Sequence, residues 1–306
     1  MTRFLEALGG KLAERWIALM LGPSVLLMSV AAVGVTLGHR RWHDIGLLLT
    51  RLNELSAEPA LRNTGTLVLL LAGLLAASAG LGLAATGLGV TVERLWLATR
   101  PRWLADRRRR RWDDAHAAFN DALLEAARAE GTPGAAAPAP AAASAVAAAA
   151  RARELNARRN RIGLTAPDHP FWLGDRIAAV DTRVWRAYRL DITVAWPRIW
   201  LLLAEDVRAE IVASRARLAA AARLMAWAVG YVAVGAVWWP SAVAGAVAAA
   251  TAWRRARIAG VAFAELSESA VDLHGRQLAE GLGIACEGAL TEDVGAEITT
   301  VLRKQT

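Results

Sequence analysis

Three aspartates within a short stretch are the residues best placed for acid–base chemistry. Neighbouring carboxylates with arginines beside them can act as a general acid and a general base when their surroundings separate the two pKa values. Paired charges in a compact block are more often structural ion pairs, which is the interpretation we prefer. An enzyme that uses the cluster is the alternative. The residues are Asp175, Asp181 and Asp191, with Arg176, Arg183 and Arg189 close by.

No other pattern in the sequence indicates catalysis, a cofactor or a metal. The five histidines lack the spacing of metal-binding motifs. His39 and His43 share a helical face, but Arg40 and Arg41 stand between them. Cys286 is the only cysteine, which excludes an internal disulfide and a cysteine-based metal cage. We therefore predict no catalytic, cofactor-binding or metal-binding residue.

The composition is typical of a protein that is partly embedded in lipid. The chain has 306 residues, 55% of them hydrophobic, and a net charge of +8. Almost all of its basic residues are arginine, and alanine is abundant. This composition suggests a GC-rich bacterial genome. In a membrane protein such a positive excess faces the anionic cytoplasmic leaflet. Nucleic-acid binding is the less favoured alternative, since few aromatic residues interleave with the basic runs.

Four apolar stretches are predicted to cross a membrane as helices. Residues 16–38 and 66–92 contain no charged side chain and are long enough to span a bilayer. Residues 218–239 form the third span, with Arg223 near enough to one end to reach the headgroups. Residues 241–253 form a short fourth span. The predicted fold class is an all-α membrane protein, with two transmembrane helical hairpins flanking a mostly helical cytoplasmic region.

The last two spans are separated by Trp238-Trp239-Pro240, which is typical of a turn within an aromatic belt. The alternative is a single kinked span over 224–253. That helix would measure roughly 45 Å, whereas the hydrocarbon core is about 30 Å thick. It would also place Arg254, Arg255 and Arg257 on the outer side. A hairpin is preferred for both reasons.

Arginine runs predict the topology. One run follows the second span closely and another follows the fourth. By the positive-inside rule these ends are cytoplasmic, which puts both termini and the middle region on the inner side of a bacterial cell membrane. The longest run is predicted to contact anionic lipid headgroups. Its members are Arg107, Arg108, Arg109, Arg110 and Arg111.

Shifts in composition divide the chain into regions. A segment rich in Pro and Ala, 132–144, contains three prolines and is predicted to be a flexible linker. The central block, 164–205, is rich in Trp, Arg and Asp. Within it, Leu190–Ile199 is predicted to form either a strand or a helix, and Pro197 would interrupt the hydrogen bonds of both. The predicted regions are an amphipathic helix at 1–15, a first transmembrane hairpin with an outer interfacial helix at 16–92, a cytoplasmic region at 93–217, a second transmembrane hairpin at 218–253, and cytoplasmic helices at 254–306.

Small residues in the second span predict close packing between helices. Gly73, Ala77, Gly80 and Ala84 recur at helical spacing. In lipid, such small-residue faces let helix backbones approach closely. The face is predicted to pair within one chain or between chains, and a homo-oligomer is favoured.

The central block is predicted to pack as one unit and to present a surface for a partner or ligand. Its tryptophans bury large apolar areas and are expected to anchor the packing. They are Trp172, Trp185, Trp196 and Trp200. The residues assigned to the partner or ligand surface are Asp175, Arg176, Asp181, Arg183, Tyr188, Asp191, Trp196 and Arg198.

Three short motifs follow one another in this block: Gly174-Asp175, Tyr188-Arg-Leu190-Asp191 and Trp196-Pro197-Arg198-Ile199. This succession resembles an uncharacterised bacterial family of four-span membrane proteins, in which Gly-Asn or Gly-Asp precedes Tyr-x-Leu-Asp and Trp-Pro-Arg-Leu/Ile. The C-terminal stretch AVDLHGRQLAEGLGI is also similar to that family. The resemblance implies the membrane class and the importance of the central block, and it implies no activity.

Three classes of function fit these observations. The preferred one is a non-enzymatic integral membrane protein that acts as an assembly, docking or sensing component through its cytoplasmic block. The alternatives are an oligomeric channel or pore-forming membrane effector, and a membrane-bound enzyme that uses the Asp/Arg cluster of 174–198. The predicted partners are the lipid bilayer with its anionic headgroups, and a second copy or another membrane or cytoplasmic protein. No acidic residue lies in a predicted span, which argues against an ion-coupled transporter.

Overall fold

The computed structural model describes residues 22–59, 63–130 and 139–304, and every regular element within these ranges is a helix. The all-helical class is thereby confirmed for the described residues. The predicted helix at 1–15 and the beginning of the first span lie outside them. The described helices, in chain order, are α1 Gly22–Leu37, α2 Ile45–Ala57, α3 Thr64–Leu97, α4 Arg102–Glu130, α5 Ala139–Ile162, α6 Trp172–Tyr188, α7 Ile192–Leu202, α8 Glu205–Val234, α9 Trp239–Gly281 and α10 Glu292–Arg303.

The described chain divides into two compact units. The first unit takes the residues up to Glu93 together with Arg217–Ala256, and the second takes Arg94–Ala216 and the residues from Arg257 onward. Each boundary falls beside an arginine. The described parts of the predicted spans lie in the first unit, and the central block lies in the second.

In the first unit, α3 packs through one row of small residues. The Ser78 hydroxyl donates to Sδ of Met28 at 3.6 Å, which joins α3 to α1. A Cβ atom on Gly89 would lie 2.9 Å from Cγ of Arg223, so α3 and α8 approach as closely as glycine permits there. The spacings of the buried row are those of one helix face. Its members are Ser78, Gly82, Ala85 and Gly89.

Among the described residues of the single chain, the face predicted for α3 is not the one that packs. Gly73, Ala77, Gly80 and Ala84 are exposed, and a Cβ atom on Gly73 or Gly80 would meet no atom of the described residues within 4 Å. Small residues occur on both faces of α3, so their spacing does not select between the two. The face that includes Gly89 is the one that packs, because it is turned towards α8.

The beginning of α9 folds back along the end of α8. The Ser241 hydroxyl donates to the carbonyl oxygen of Tyr231 at 2.8 Å. A Cβ atom on Gly245 would lie 2.9 Å from the carbonyl oxygen of Ala228, so the two helices are in close contact. They therefore lie side by side in this unit, and a single kinked helix over 224–253 does not form.

An aromatic cluster joins the loop after α1 to the loop after α8. The ring centroids of Trp42 and Trp239 are 5.0 Å apart, and Nε1 of Trp238 donates to the carbonyl oxygen of Trp42 at 3.3 Å. Nε2 of His39 lies 2.9 Å from the carbonyl oxygen of Ala236. The two loops therefore lie at the same end of the first unit, and His39 is bound to the backbone.

Two of the described helices, α3 and α8, are long and apolar enough to cross a membrane. In their most apolar windows, 11% and 28% of the residues are buried inside the protein. A core helix of a soluble protein would be mostly buried, so both helices present much apolar surface outward. The described part of the first predicted span, α1, is shorter, and the predicted fourth span, 241–253, is the beginning of the long helix α9.

In the second unit, α4 and α5 form an antiparallel pair. Near one end, Nε1 of Trp112 donates to the carbonyl oxygen of Gly163 at 2.8 Å. Near the other end, Nη1 of Arg151 lies 3.7 Å from Oε2 of Glu125. Small side chains allow the two helices to approach closely between these contacts. The buried alanines of the pair include Ala122, Ala126 and Ala152.

The linker predicted at 132–144 is wrong in its second half, because α5 begins at Ala139. Pro140 lies in the first turn of α5. There its missing N–H would have no intrahelical acceptor, and its fixed φ suits a helix. The prolines therefore delay the start of α5 without excluding it, while 131–138 lie outside the described residues.

The second unit is built around an aliphatic core. Burying one aliphatic side chain in this core stabilises the fold by about 1.5–3 kcal/mol. Trp196 and Trp200 are partly buried and pack against this core, whereas Trp185 is 40% exposed, so the predicted anchoring is wrong for Trp185. Tryptophan is large and carries an N–H, so it rarely becomes fully buried. Among the core side chains with at most 1% exposure are Val184, Leu190, Ile199, Val271 and Ile298.

The sequence allowed either a strand or a helix over Leu190–Ile199. In the structure, this segment forms most of the helix α7. Asp191 caps α7, since its side chain accepts a hydrogen bond from the N–H of Thr193 at 3.0 Å. Pro197 lies inside α7 on its exposed side. One intrahelical hydrogen bond is lost there, and packing of the opposite face on the core outweighs that loss.

Candidate functional site

Asp175 is bound from several sides in the first turn of α6. The backbone N–H groups of Asp168 and His169 donate to its Oδ1 at 2.9 and 2.8 Å. Nδ1 of His169 lies 3.2 Å from the same oxygen, and the guanidinium of Arg108 binds Oδ2. The Asp175 side chain is 7% exposed. The carboxylate therefore organises the loop before α6.

Arg108 ties α4 to this loop. In addition to Asp175, its guanidinium binds the carbonyl oxygens of His169 and Ile162 at 2.6 and 2.7 Å. Its side chain is only 18% exposed. The predicted contact with lipid headgroups is therefore wrong for Arg108, because its donors are occupied inside the unit.

The other arginines of the run point away from the loop or lie at its edge. Nη1 of Arg109 lies 2.7 Å from Oδ1 of Asp168, and both side chains are largely exposed. Arg107, Arg110 and Arg111 are exposed. Successive residues of a helix point about 100° apart, so consecutive arginines cannot all face one surface. For these four, contact with headgroups stays a prediction.

Arg176 is almost inaccessible. Its side chain is 6% exposed, and Nη2 lies 3.2 Å from Oε1 of Glu265 on α9. Nη1 is buried and has no hydrogen-bond partner among the described residues. One turn earlier on α6, the ring of Trp172 lies 4.3 Å from the guanidinium carbon of Arg257. An ion pair and a cation–π contact thus join α6 to α9.

Two further polar contacts join α6 to α9. Nη2 of Arg183 lies 2.9 Å from Oε1 of Glu268, and the Tyr188 hydroxyl donates to Oδ1 of Asp272 at 2.9 Å. Burial, together with the hydrogen bond to Asp272, raises the pKa of Tyr188. The four side chains line a groove of about 380 Å³ that carries both signs of charge.

Asp191 joins α7 to α10. Its Oδ2 accepts from Nε of Arg303 at 3.2 Å, and this interaction lowers the pKa of Asp191 although the carboxyl is partly buried. The backbone N–H of Asp191 donates to the Thr299 hydroxyl at 3.0 Å. The hydroxyl itself lies 3.1 Å from the carbonyl oxygen of Arg189. The connection between α6 and α7 is thereby held against α10.

Asp181 and Trp196 line a second groove, formed by α6, α7 and α9. Its volume is about 420 Å³, and its walls are mainly apolar. Asp181 is the one charged residue among those that line it. Burial, followed by repulsion from Asp191, raises the pKa of the Asp181 carboxyl.

The eight residues assigned to a partner or ligand surface do not share one surface. Asp175 and Arg176 are buried, and Asp191 binds Arg303. Arg198 is exposed and donates to the carbonyl oxygen of Val194 at 2.8 Å, on its own helix. The residues on α6 spread around the helix because their spacing does not follow its period. The structure therefore separates them into ion pairs between helices and two grooves.

Sequence reasoning missed Gly295 and Thr299 on α10. A Cβ atom on Gly295 would lie 1.9 Å from the carbonyl oxygen of Tyr188, so α10 contacts the end of α6 directly through its backbone. A glycine inside an otherwise helical pattern is a signal of such an approach. Thr299 carries no comparable signal, because its partners lie far away in the sequence.

No protein-family model matches the chain. Comparisons with curated proteins and with solved structures find no match either. Within the described residues, no group of three or more His, Cys, Asp or Glu side chains could hold a metal ion. Geometry and charge therefore carry the functional interpretation.

Proposed function

We propose that this chain is a non-enzymatic integral membrane protein that serves as an assembly, docking or sensing component. The supporting observation is the uncovered apolar surface of α3. Leu69 is 74% exposed, and Val68, Leu70, Leu71 and Leu75 are each more than half exposed. Soluble monomers rarely leave so continuous an apolar surface in water. Lipid around this helix removes the cost of hydrating it.

The geometry of α2 supports the same proposal. Its apolar residues Ile45, Leu49, Leu52 and Leu55 are 53–69% exposed, and no residue of α2 is buried. On the polar side, Nη1 of Arg51 lies 2.9 Å from Oε2 of Glu54. An amphipathic helix with an uncovered apolar stripe is stable at the boundary between headgroups and acyl chains. We place α2 there, at the outer surface.

The arginines support an orientation. Arg107, Arg110 and Arg111 are exposed on α4, and Arg254 and Arg255 are exposed where the apolar part of α9 ends. The positive-inside rule then puts the second unit and both termini in the cytoplasm of a bacterial cell. The resemblance to four-span bacterial membrane proteins is in line with this topology.

Binding is favoured over catalysis in the second unit because of how its charges are used. Asp175 is occupied by Arg108, and Asp191 by Arg303. Two carboxylates committed to separate cations are poorly placed to exchange protons with one substrate. The grooves beside Asp181 and Tyr188 suit docking or sensing better.

The uncovered row of α3 supports a homo-oligomer. Gly73 and Gly80 have no neighbour within 4 Å of an added Cβ among the described residues, and Ala77 and Ala84 lie on the same face. Small residues facing lipid allow a second helix to pack closely. We place the contact between copies on this face.

Membrane extraction and native mass test the proposal together. We expect the chain to stay in the membrane pellet after alkaline carbonate extraction. After reconstitution in nanodiscs, mass photometry should give a multiple of 32.6 kDa plus the disc. Release by carbonate would contradict membrane insertion, and a monomer in native membranes as well as in nanodiscs would contradict self-assembly.

A photo-crosslinker at the exposed Trp185 tests the docking role. We expect it to capture a second copy or a specific protein in native membranes. The matched control carries the crosslinker at Val68, which is 57% exposed on α3, lies away from the Gly73 face and faces lipid in this proposal. Equal capture from both positions would contradict a docking role for the second unit.

A further inference from the structure

The groove of about 420 Å³ between α6, α7 and α9 has the dimensions of a small-molecule site. Ile177 and Val180 come from α6, Ile192 from α7 and Phe263 from α9. Three helices hold these walls, so the groove has a defined shape. An apolar molecule of modest size can lie along it without displacing a side chain.

The groove carries a negative charge that the protein does not neutralise. Asp181 has no ion-pair partner among the described residues, and its one charged neighbour with an appreciable effect is another carboxylate, Asp191. Asp191 is itself satisfied by Arg303 and by Thr193. Asp181 is exposed at the groove, so a cation arriving there would meet a carboxylate that has no ion-pair partner among the described residues.

Trp196 supplies a second feature that favours a cation. It lines the same groove as Asp181 and packs against the core with its ring partly buried. The face of an indole ring attracts an ammonium or guanidinium group. A carboxylate and an indole in one apolar groove match an apolar molecule with a basic nitrogen.

We propose that this groove binds a small apolar molecule that carries one basic nitrogen, with the nitrogen at Asp181 and the apolar body along Ile177, Val180 and Phe263. The inference rests on the proposed sensing role of the second unit and names the class of ligand. Charge complementarity between the ligand and the unpaired carboxylate selects an amine over a neutral or acidic molecule of the same shape.

Isothermal titration calorimetry on the full chain in nanodiscs tests the proposal. The probe is 4-phenylbutylamine, and 4-phenylbutanol is its uncharged counterpart. Empty nanodiscs are titrated in parallel to subtract partitioning into lipid. We expect saturable binding of the amine, about tenfold tighter than binding of the alcohol, as for one hydrogen bond between charged groups.

Three variants separate the contributions. Asp181→Asn should remove the preference for the amine, and Ala178→Leu, which fills the groove, should remove saturable binding of both probes. Glu287→Gln changes an exposed carboxylate outside the groove and should bind as the unchanged protein does. Circular dichroism confirms that each variant is folded.

Absence of saturable amine binding, or equal binding by Asp181→Asn, would overturn the proposal. So would unchanged binding by Ala178→Leu. These outcomes leave carbonate extraction, native mass and cross-linking at Trp185 unaffected. Failure of the ligand proposal is therefore distinguishable from failure of the proposed membrane function.

Discussion

Arg108 and Asp175 form an ion pair across 67 residues of sequence, with side chains that are only 18% and 7% exposed. The pair joins α4 to the first turn of α6. It therefore ties the α4–α5 pair to α6, the helix that carries Val180 and Val184 of the aliphatic core. A partly buried pair of this kind tolerates the loss of neither partner alone, because the remaining charge stays out of water without compensation.

Replacing Arg108 with Met should therefore destabilise the second unit strongly. We expect the free energy of unfolding to fall by about 3–5 kcal/mol. Denaturant titration followed by tryptophan fluorescence measures the change. Arg110→Met is the matched control, since Arg110 is exposed, and it should change stability little. Similar stabilities for the two variants would contradict a structural role for the Arg108–Asp175 pair.

Asp191 and Asp181 should respond to substitution with opposite signs. The pKa of Asp191 is lowered by Arg303, so its carboxylate stabilises the fold above its unfolded pKa and loses this effect as the pH falls through the folded value. The pKa of Asp181 is raised by burial and by Asp191, so ionised Asp181 destabilises the fold once the pH exceeds its unfolded value.

At neutral pH, we expect Asp191→Asn to lower the melting temperature and Asp181→Asn to raise it. Asparagine also caps helices, so Asp191→Asn removes the charge and keeps the cap of α7. The Asp181 difference should shrink as the pH is lowered towards about 4. The Asp191 difference should shrink only below about 4, because the folded pKa of Asp191 lies below its unfolded value. If both variants changed the melting temperature in the same direction at neutral pH, the ion pair of Asp191 or the unpaired state of Asp181 would be wrong.

Substitutions at Gly89 and Gly80 should distinguish helix packing within one chain from helix packing between chains. Gly89→Leu forces a side chain against Arg223, whose Cα would lie 3.1 Å from the new Cβ, and overpacking of this kind costs about 1–3 kcal/mol. A Cβ atom on Gly80 would meet no atom of the described residues within 4 Å. Gly80→Leu should leave the melting temperature of the monomer unchanged and reduce cross-linking between copies. Destabilisation of the monomer by Gly80→Leu would contradict the observed face.

Gly295→Ala should loosen the contact between α10 and the end of α6. The added Cβ would lie 1.9 Å from the carbonyl oxygen of Tyr188, so one helix must move. We expect a loss of about 1–3 kcal/mol, measured by thermal unfolding. Gly281→Ala is the control, because a Cβ there meets no atom of the described residues within 4 Å. Equal melting temperatures would contradict the direct backbone contact.

Hydropathy and periodicity predict the helices better than they predict which faces pack. The apolar stretch 66–92 lies inside α3, because charge-free apolar runs of that length favour a helix. The face of α3 that packs could not be read from it, since both Gly80 and Gly82 belong to small-residue rows. Proline positions are similarly ambiguous. Pro140 is tolerated because it falls in the first turn of α5, and that depends on where the helix begins.

The candidate site was predictable in residue type and less so in geometry. The sequence singles out Asp175, Asp181 and Asp191 and predicts neighbouring arginines as their partners. Two of the three instead bind distant arginines, Arg108 and Arg303. Such partners are brought close only by tertiary packing, which local spacing does not encode. The free carboxylate of Asp181 follows from the same packing.

Cysteine accessibility in intact cells tests the membrane topology most directly. In a Cys286→Ala background, single cysteines are placed by Arg40→Cys, in the loop between α1 and α2, and by Pro138→Cys, in the segment between α4 and α5. We expect an impermeant maleimide to label Arg40→Cys in intact cells and Pro138→Cys only after permeabilisation. Labelling of Pro138→Cys in intact cells, or of neither cysteine until the cells are opened, would contradict a membrane protein with its second unit in the cytoplasm.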